Sequence, residues 1–280
     1  MRALWQRVWF APAHPLGLSA ARAILCAQAL WILLSRPDLP DLARWPRAFF
    51  GRVSPLLPLR FGFGLPAGVE WVLFGLSFLA LLAALCGLRP RASCLAAGLL
   101  LYHFAPMEEM VAGLPHTAFG GLTLPALGLC VLAFAPAPRW RGAPSDDYRW
   151  PVALIQLLLA CGYLFPTLAK LRFAGPLWFT GENIHYYLLG NFTVTGAPLA
   201  LALAAHPLLC RAVALGTLAL EASAPLVVVS ARFALFFVPA ALLFHTGIVL
   251  AIGYFFPSLP LLLLLLDWDG LGRALDRPAP

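Results

Sequence analysis

The sequence predicts an all-α, polytopic integral membrane bundle of about seven or eight transmembrane helices. Of its 280 residues, 61% are hydrophobic and 11% are charged, whereas soluble domains carry about twice that share of charge. The mean hydropathy is +0.85. The apolar residues are gathered into runs long enough to enter a hydrocarbon core of roughly 30 Å. Proline-rich breaks such as Arg36-Pro37 and Arg89-Pro90 separate those runs, because proline cannot continue a helix that precedes it. Almost the whole chain is spent on these runs, so residues 1–280 read as one transmembrane domain. The net charge of +7 fits contact with anionic membrane lipid, and without a polar domain no nucleic-acid partner is expected.

In chain order, residues 1–15 mix Arg2 and Arg7 with Trp5, Trp9 and Phe10, the composition of a helix lying at headgroup level. The first span runs from about Leu18 to Ser35, and with no cleavage site behind it reads as a retained helix. Residues 36–67 are rich in proline, arginine and aromatics and are expected to fold back along the interface. Val69 to Gly87 forms the second span. The third starts near Ala92 and reaches Pro106, short for a full crossing. His116 opens the fourth span, which ends at Pro136, and the polar loop from Arg139 to Arg149 is expected in water. Pro151 to Leu171 is the fifth. Pro198 to Ala205 is a short apolar piece that could form half of a re-entrant hairpin. Ala212 to Val229 and Phe233 to Phe255 are spans, and Pro257 to Leu266 is a last apolar run before a polar tail, 267–280. With the N-terminus cytoplasmic, the short positive loops fall inside.

Six cysteines, Cys26, Cys86, Cys94, Cys130, Cys161 and Cys210, lie in or beside apolar runs without a CxxC pair, and read as small hydrophobes. The basic residues are more informative. Eighteen of the nineteen are arginine, and Lys170 is the one lysine. It ends a long apolar helix, where a cation is costly. A lysine, unlike an arginine, can release its proton and act as a base. Residues seven apart return to nearly the same helix face, so Gln156, Tyr163 and Lys170 share a stripe, with Thr167 one turn before the lysine. The alternative is that Lys170 snorkels to the interface.

Glu221 and His245 are ionisable residues inside spans, candidates either for a site or for a hydrogen bond between helices. His116 opens a helix beside Thr117 and Gly120-Gly121, which allow close backbone approach. Glu182 and His185 form an ExxH, but a carboxylate-bridged metal site needs a second one. No metal is expected.

Three stretches together resemble the horizontally transferred transmembrane (HTTM) domain family, related to the vitamin K-dependent gamma-glutamyl carboxylases. Gln156 to Gly181 (QLLLACGYLFPTLAKLRFAGPLWFTG) is similar to the family's pattern of Q, Y, K-L and W-x-x-G. Pro115-His116-Thr117 is similar to its loop histidine, and Glu221 to Phe256 to its acidic helix followed by a helix with F-H. The resemblance implies a membrane enzyme in which Lys170 is the general base on a reduced lipid quinone, vitamin K or menaquinol. His116 and His245 would act beside the quinone, and Tyr163, Trp178, Glu221 and Gln156 would line the cofactor site. It departs at Pro166-Thr167-Leu168-Ala169, where the carboxylases have small or basic residues, and no counterpart of their lumenal propeptide-binding region is expected. The expected acceptor is therefore a small molecule, or a peptide or protein supplied by a partner subunit. The expected location is a bacterial inner membrane. The alternative from another class is a non-catalytic, lipid-binding subunit of a larger membrane complex.

Overall fold

The computed structural model describes residues 2–45, 65–111, 121–137, 140–256 and 258–276. Among these the secondary structure is helical, apart from one isolated β-bridge between Ala13 and Ser145. Helices α1 (Arg2–Phe10), α2 (Leu16–Ser35), α3 (Ala67–Leu85), α4 (Pro90–Val111) and α5 (Thr123–Phe134) come first. They are followed by α6 (Arg149–Phe173), α7 (Leu177–Thr180), α8 (Glu182–Thr195), α9 (Pro198–Ala204) and α10 (Pro207–Ser223), then α11 (Leu226–Val229), α12 (Ala231–Ile252) and α13 (Trp268–Leu275).

Among the described residues, four helical stretches are long and apolar enough to cross a membrane: α2, α3, residues 146–173 containing α6, and α12. A fifth exists if α9 and α10 are one broken span, bent by 102°. The bend follows from Ala205-His206-Pro207, since proline supplies no N–H to carry the helix forward. The expected re-entrant piece is therefore a half-helix turning into α10.

The chain divides into two compact units, Met1–Leu159 with Pro260–Pro280, and Ala160–Leu259. In the first, α2 to α5 pack on one another around Leu25, Leu33, Leu81, Leu101, Phe104 and Leu129. The contact of α4 with α5 is close because residue 98 is glycine: a Cβ there would lie 2.6 Å from Cys130 Sγ. The polar tail is folded rather than loose. Asp267 caps α13 by accepting from the Gly270 amide at 2.9 Å. The His14 amide donates to Asp269 Oδ1 at 2.6 Å. His14 Nδ1 accepts from the Leu16 amide at 3.1 Å, so its ring proton is on Nε2, 2.9 Å from Asp276 Oδ2.

In the second unit, α8, α9, α10 and α12 enclose Leu188, Ala200, Ala204, Cys210, Ala251 and Ile252. On α12, Leu235, Phe236, Leu243 and Leu250 remain exposed, an apolar stripe at helical spacing. Gly181 joins α7 to α8 with φ +85, and a Cβ there would lie 2.5 Å from the Arg211 amide nitrogen. Both the left-handed backbone and the close approach require glycine, which explains the last position of the Trp178-x-x-Gly181 pattern.

Several expected boundaries move. The third helix does not stop at Pro106 but continues to Val111 with the proline inside it, as α6 continues through Pro166. One proline costs a single backbone bond, which a long packed helix can absorb. The run expected from Ala212 to Val229 starts earlier, at Pro207, and stops at Ser223, where Ala224-Pro225 intervenes before the one-turn α11. The last apolar run contains a 3₁₀ helix, Leu259–Leu265. His116 and residues 46–64 of the arginine-rich segment lie outside the described residues.

Candidate functional site

The second unit gathers most of the expected site residues: Tyr163 and Lys170 on α6, Trp178 on α7, Glu221 on α10 and His245 on α12. The α6 stripe at Tyr163, Thr167 and Lys170 faces α10 at one level and α12 at another. Lys170 Nζ is paired with Glu221 Oε1. The other carboxylate oxygen, Oε2, accepts from Thr167 Oγ1 at 2.9 Å. Both oxygens of Glu221 are thus engaged by residues three apart on one helix, and a charge that would otherwise be costly in an apolar setting is compensated. The Lys170 side chain is 21% exposed and that of Glu221 8%. Trp178 covers the ammonium, its ring centroid 5.1 Å from Nζ, a cation–π distance. The tryptophan is delivered by α7, which the tight turn at Gly175 (φ +52) folds back after α6.

Two turns before Lys170, Tyr163 meets α12. Its hydroxyl lies 3.0 Å from His245 Nε2, and its ring packs edge-on against Phe237 at 5.4 Å. The imidazole is further enclosed by Phe256 at 4.6 Å. His245 is buried, and its Nδ1 has no hydrogen-bond partner. Whichever tautomer forms, one ring nitrogen lies buried and unused. Such an atom costs about 1–3 kcal/mol when left unpaired, so it is a natural contact for a ligand oxygen.

Tyr163, Thr167, Lys170, Trp178, Glu221 and His245 are therefore brought together in one unit, as two polar stations along α6 separated by roughly 10 Å of helix rise. Gln156, on the same stripe, belongs to the first unit. There its Nε2 donates to the Leu264 carbonyl at 2.9 Å, while Oε1 has no partner. The ExxH is also divided: Glu182 is exposed in the first turn of α8, and His185 Nδ1 donates to the Ala204 carbonyl at 2.9 Å. Among the described residues no three His, Cys, Asp or Glu side chains converge.

A second acid pair escapes sequence reading. In the first unit, Glu70 Oε2 lies 2.7 Å from His103 Nε2, with Glu70 fully buried and its Oε1 without a partner. The signal was present in the spacing. Glu70 and Ser77 are seven apart, both fully buried, and so mark one polar face of an apolar helix.

Comparison of the chain with protein-family models, curated proteins and solved structures finds no match, so the assignment of function rests on these side chains alone.

Proposed function

We propose that the chain is an integral membrane enzyme of seven or eight spans whose second unit transfers a proton between its Lys170–Glu221 pair and a reduced lipid quinone. The single observation that carries this reading is the pair itself. It joins an amine and a carboxylate inside apolar helices, braced by Thr167, with the amine still open on one side beneath Trp178. Such a pair holds one transferable proton, and an arginine in place of the lysine could not give it up.

Each station offers a quinone oxygen one contact: His245 Nδ1 is buried and unpartnered, with Phe256 as an apolar wall beside it, and the Lys170–Glu221 pair, roughly 10 Å of helix rise away, is the place of proton exchange. When bound, a reduced quinone supplies a weakly acidic hydroxyl and, with dioxygen as oxidant, two electrons. Tyr163 holds the His245 ring in position through its hydroxyl. Glu221 takes up or returns the proton with Lys170, and Thr167 fixes the carboxylate so that its free motion does not dilute the contact. The acceptor of the overall reaction is a small molecule or a peptide. The proposed location is a bacterial inner membrane with the N-terminus cytoplasmic.

The test compares purified wild type with Lys170→Arg and Glu221→Gln, each given reduced menaquinone or reduced vitamin K and dioxygen, with products followed by mass spectrometry. Oxidation that depends on both residues is expected. Equal turnover by wild type and Lys170→Arg would overturn the lysine's role. A second reading, a non-catalytic lipid-binding subunit, is favoured by the completeness of the bonds at Glu221, which is what a brace between α6 and α10 would also require. On that reading neither wild type nor variants turn over quinol, and purification from native membranes brings partner proteins with the chain.

A further inference from the structure

The segment after the last apolar run is polar in composition, and a helix formed there in water turns its charges outward and its leucines inward. Helix α13 does the reverse. Asp269 accepts from the His14 amide at 2.6 Å, and Asp276 Oδ2 lies 2.9 Å from His14 Nε2. Gly272 is buried against the same ring, so closely that a Cβ there would overlap it. Positions 269, 272, 273 and 276 recur at three- and four-residue spacing, so they share one face of the helix. That face holds both acids and the glycine and is turned to the protein, with Arg273 reaching back to Asp269 as an i,i+4 pair. The leucines are elsewhere: Leu271 is 46% exposed and Leu275, one turn later, 60%. A helix with its acids bonded inward and its leucines bare suits surroundings that are themselves apolar.

The place of α13 identifies those surroundings. His14 stands two residues before α2, the first helix of membrane-crossing length. Its neighbour Ala13 is bridged to the polar loop: the Ala13 amide donates to the Ser145 carbonyl at 2.9 Å, and the Ser145 amide to the Ala13 carbonyl at 3.0 Å. Arg149 Nε donates to the Val8 carbonyl at 3.0 Å, and Asp146 and Asp147 of the same loop are exposed. Helix α1, the 140–149 loop, the start of α2 and α13 are thus gathered at one end of the first unit, where an apolar span begins. Helix α1 also carries bare apolar side chains, Leu4, Trp5 and Phe10, beside Arg2 and Arg7.

We propose that α13 lies in the headgroup layer of the membrane, with Leu271 and Leu275 against the acyl chains, on the face that also holds α1 and the 140–149 loop. A lipid surface is the partner that bare leucines on a short helix beside a span fit, since interfacial helices bury that face at the acyl boundary. The tie between His14 and α13 has a topological consequence. A chain whose residues 14 and 267–276 share one face crosses the membrane an even number of times between them, which selects eight spans over seven. Residue 145 shares that face too, which matches the four helices α2 to α5 before it. The proposal requires that the chain cross a membrane, and it is independent of the proton-transfer reading.

The test places a nitroxide label on Leu271→Cys, Arg273→Cys or Leu275→Cys in the full chain with its six cysteines replaced by alanine. In vesicles of phosphatidylethanolamine and phosphatidylglycerol, the label's collisions with dissolved oxygen and with a water-soluble nickel chelate are compared. Oxygen is expected to exceed the chelate several-fold at 271 and 275, and the ratio to fall at 273. Chelate collisions as frequent as oxygen collisions at all three positions would put the leucines in water and overturn the proposal. Few collisions with either reagent at 271 and 275 would show a protein on that face and overturn it as well. The shared face is read in the otherwise native chain from a reporter active on one side of the membrane only, fused ahead of Met1 or after Pro280. The same response from both fusions is expected, and opposite responses overturn it. If the cysteine-free chain does not fold, Leu271→Asp/Leu275→Asp in the native background decides the lipid contact: faster proteolysis of α13 in vesicles than in wild type supports it, and an unchanged rate overturns it.

Discussion

Two buried carboxylates, one in each unit, are treated in opposite ways. Glu70 is sealed: it is fully buried, its partner His103 is 9% exposed, and one of its oxygens has no partner. Aromatic rings close around the pair, with Phe104 5.0 Å from the His103 ring and 5.6 Å from Phe74. Glu221 is satisfied: both oxygens are bonded, and its cation remains partly open beneath a tryptophan. The sealed pair joins α3 to α4 as a fastener. The satisfied pair can exchange its contents, because its amine touches the surroundings. On the proposed function, the partial exposure of Lys170, more than the identity of the acid, separates the second pair from the first.

The largest effect expected is at the sealed pair. Glu70→Leu or His103→Leu alone leaves the other group unpaired in a dry interior and should cost about 3–5 kcal/mol, read as thermal unfolding in detergent. The double variant Glu70→Leu/His103→Leu should recover most of that loss. A double variant as unstable as the single ones would break the comparison. Next comes the open pair, where the expected order of effects reverses. Lys170→Arg should lower quinol oxidation by about 100-fold or more while thermal stability changes little. A stability loss as large as that at Glu70 would make the second unit's pair a fastener as well.

Smaller changes sharpen the contrast. Tyr163→Phe removes the hydroxyl from His245 Nε2 and leaves neither ring nitrogen with a hydrogen-bond partner, at a cost of about 1–3 kcal/mol. If His245 orients a ligand, the same variant should raise the apparent KM for quinol more than it lowers kcat. Asp276→Asn should cost least, about 0.5–1 kcal/mol, because the asparagine carbonyl can still accept from His14 Nε2 while the charge is lost. Limited proteolysis of the C-terminal helix measures it, and cleavage no faster than in wild type would show that the Asp269 contact to the His14 amide holds α13 by itself.

Much of this was legible along the chain. The apolar runs located α2, α3, α6 and α12 within a few residues, because a helix that must bury or expose apolar side chains on every side leaves a continuous run rather than a pattern. The stripe at Tyr163, Thr167 and Lys170 was legible for a different reason: helical period alone decides which residues share a face. Pro106 misled where it suggested a stop, since packing along the helix outweighs one missing backbone bond. Glu70 was overlooked because a single acid in the first turn of a helix is ordinary at a water boundary, and nothing local says that the turn is buried.

The sequence by itself determined the helical class, the membrane-length runs and the composition of the α6 stripe, all of which are properties of neighbours in the chain. The tertiary structure alone decided that Glu221 meets Lys170 across 51 residues, that His245 meets Tyr163 across 82, and that Glu70 meets His103 across 33. Period fixes which side chains share a helix face. Which faces meet depends on crossing angles and on small residues such as Gly98 and Gly181, where backbones approach closely enough to bring distant side chains into contact.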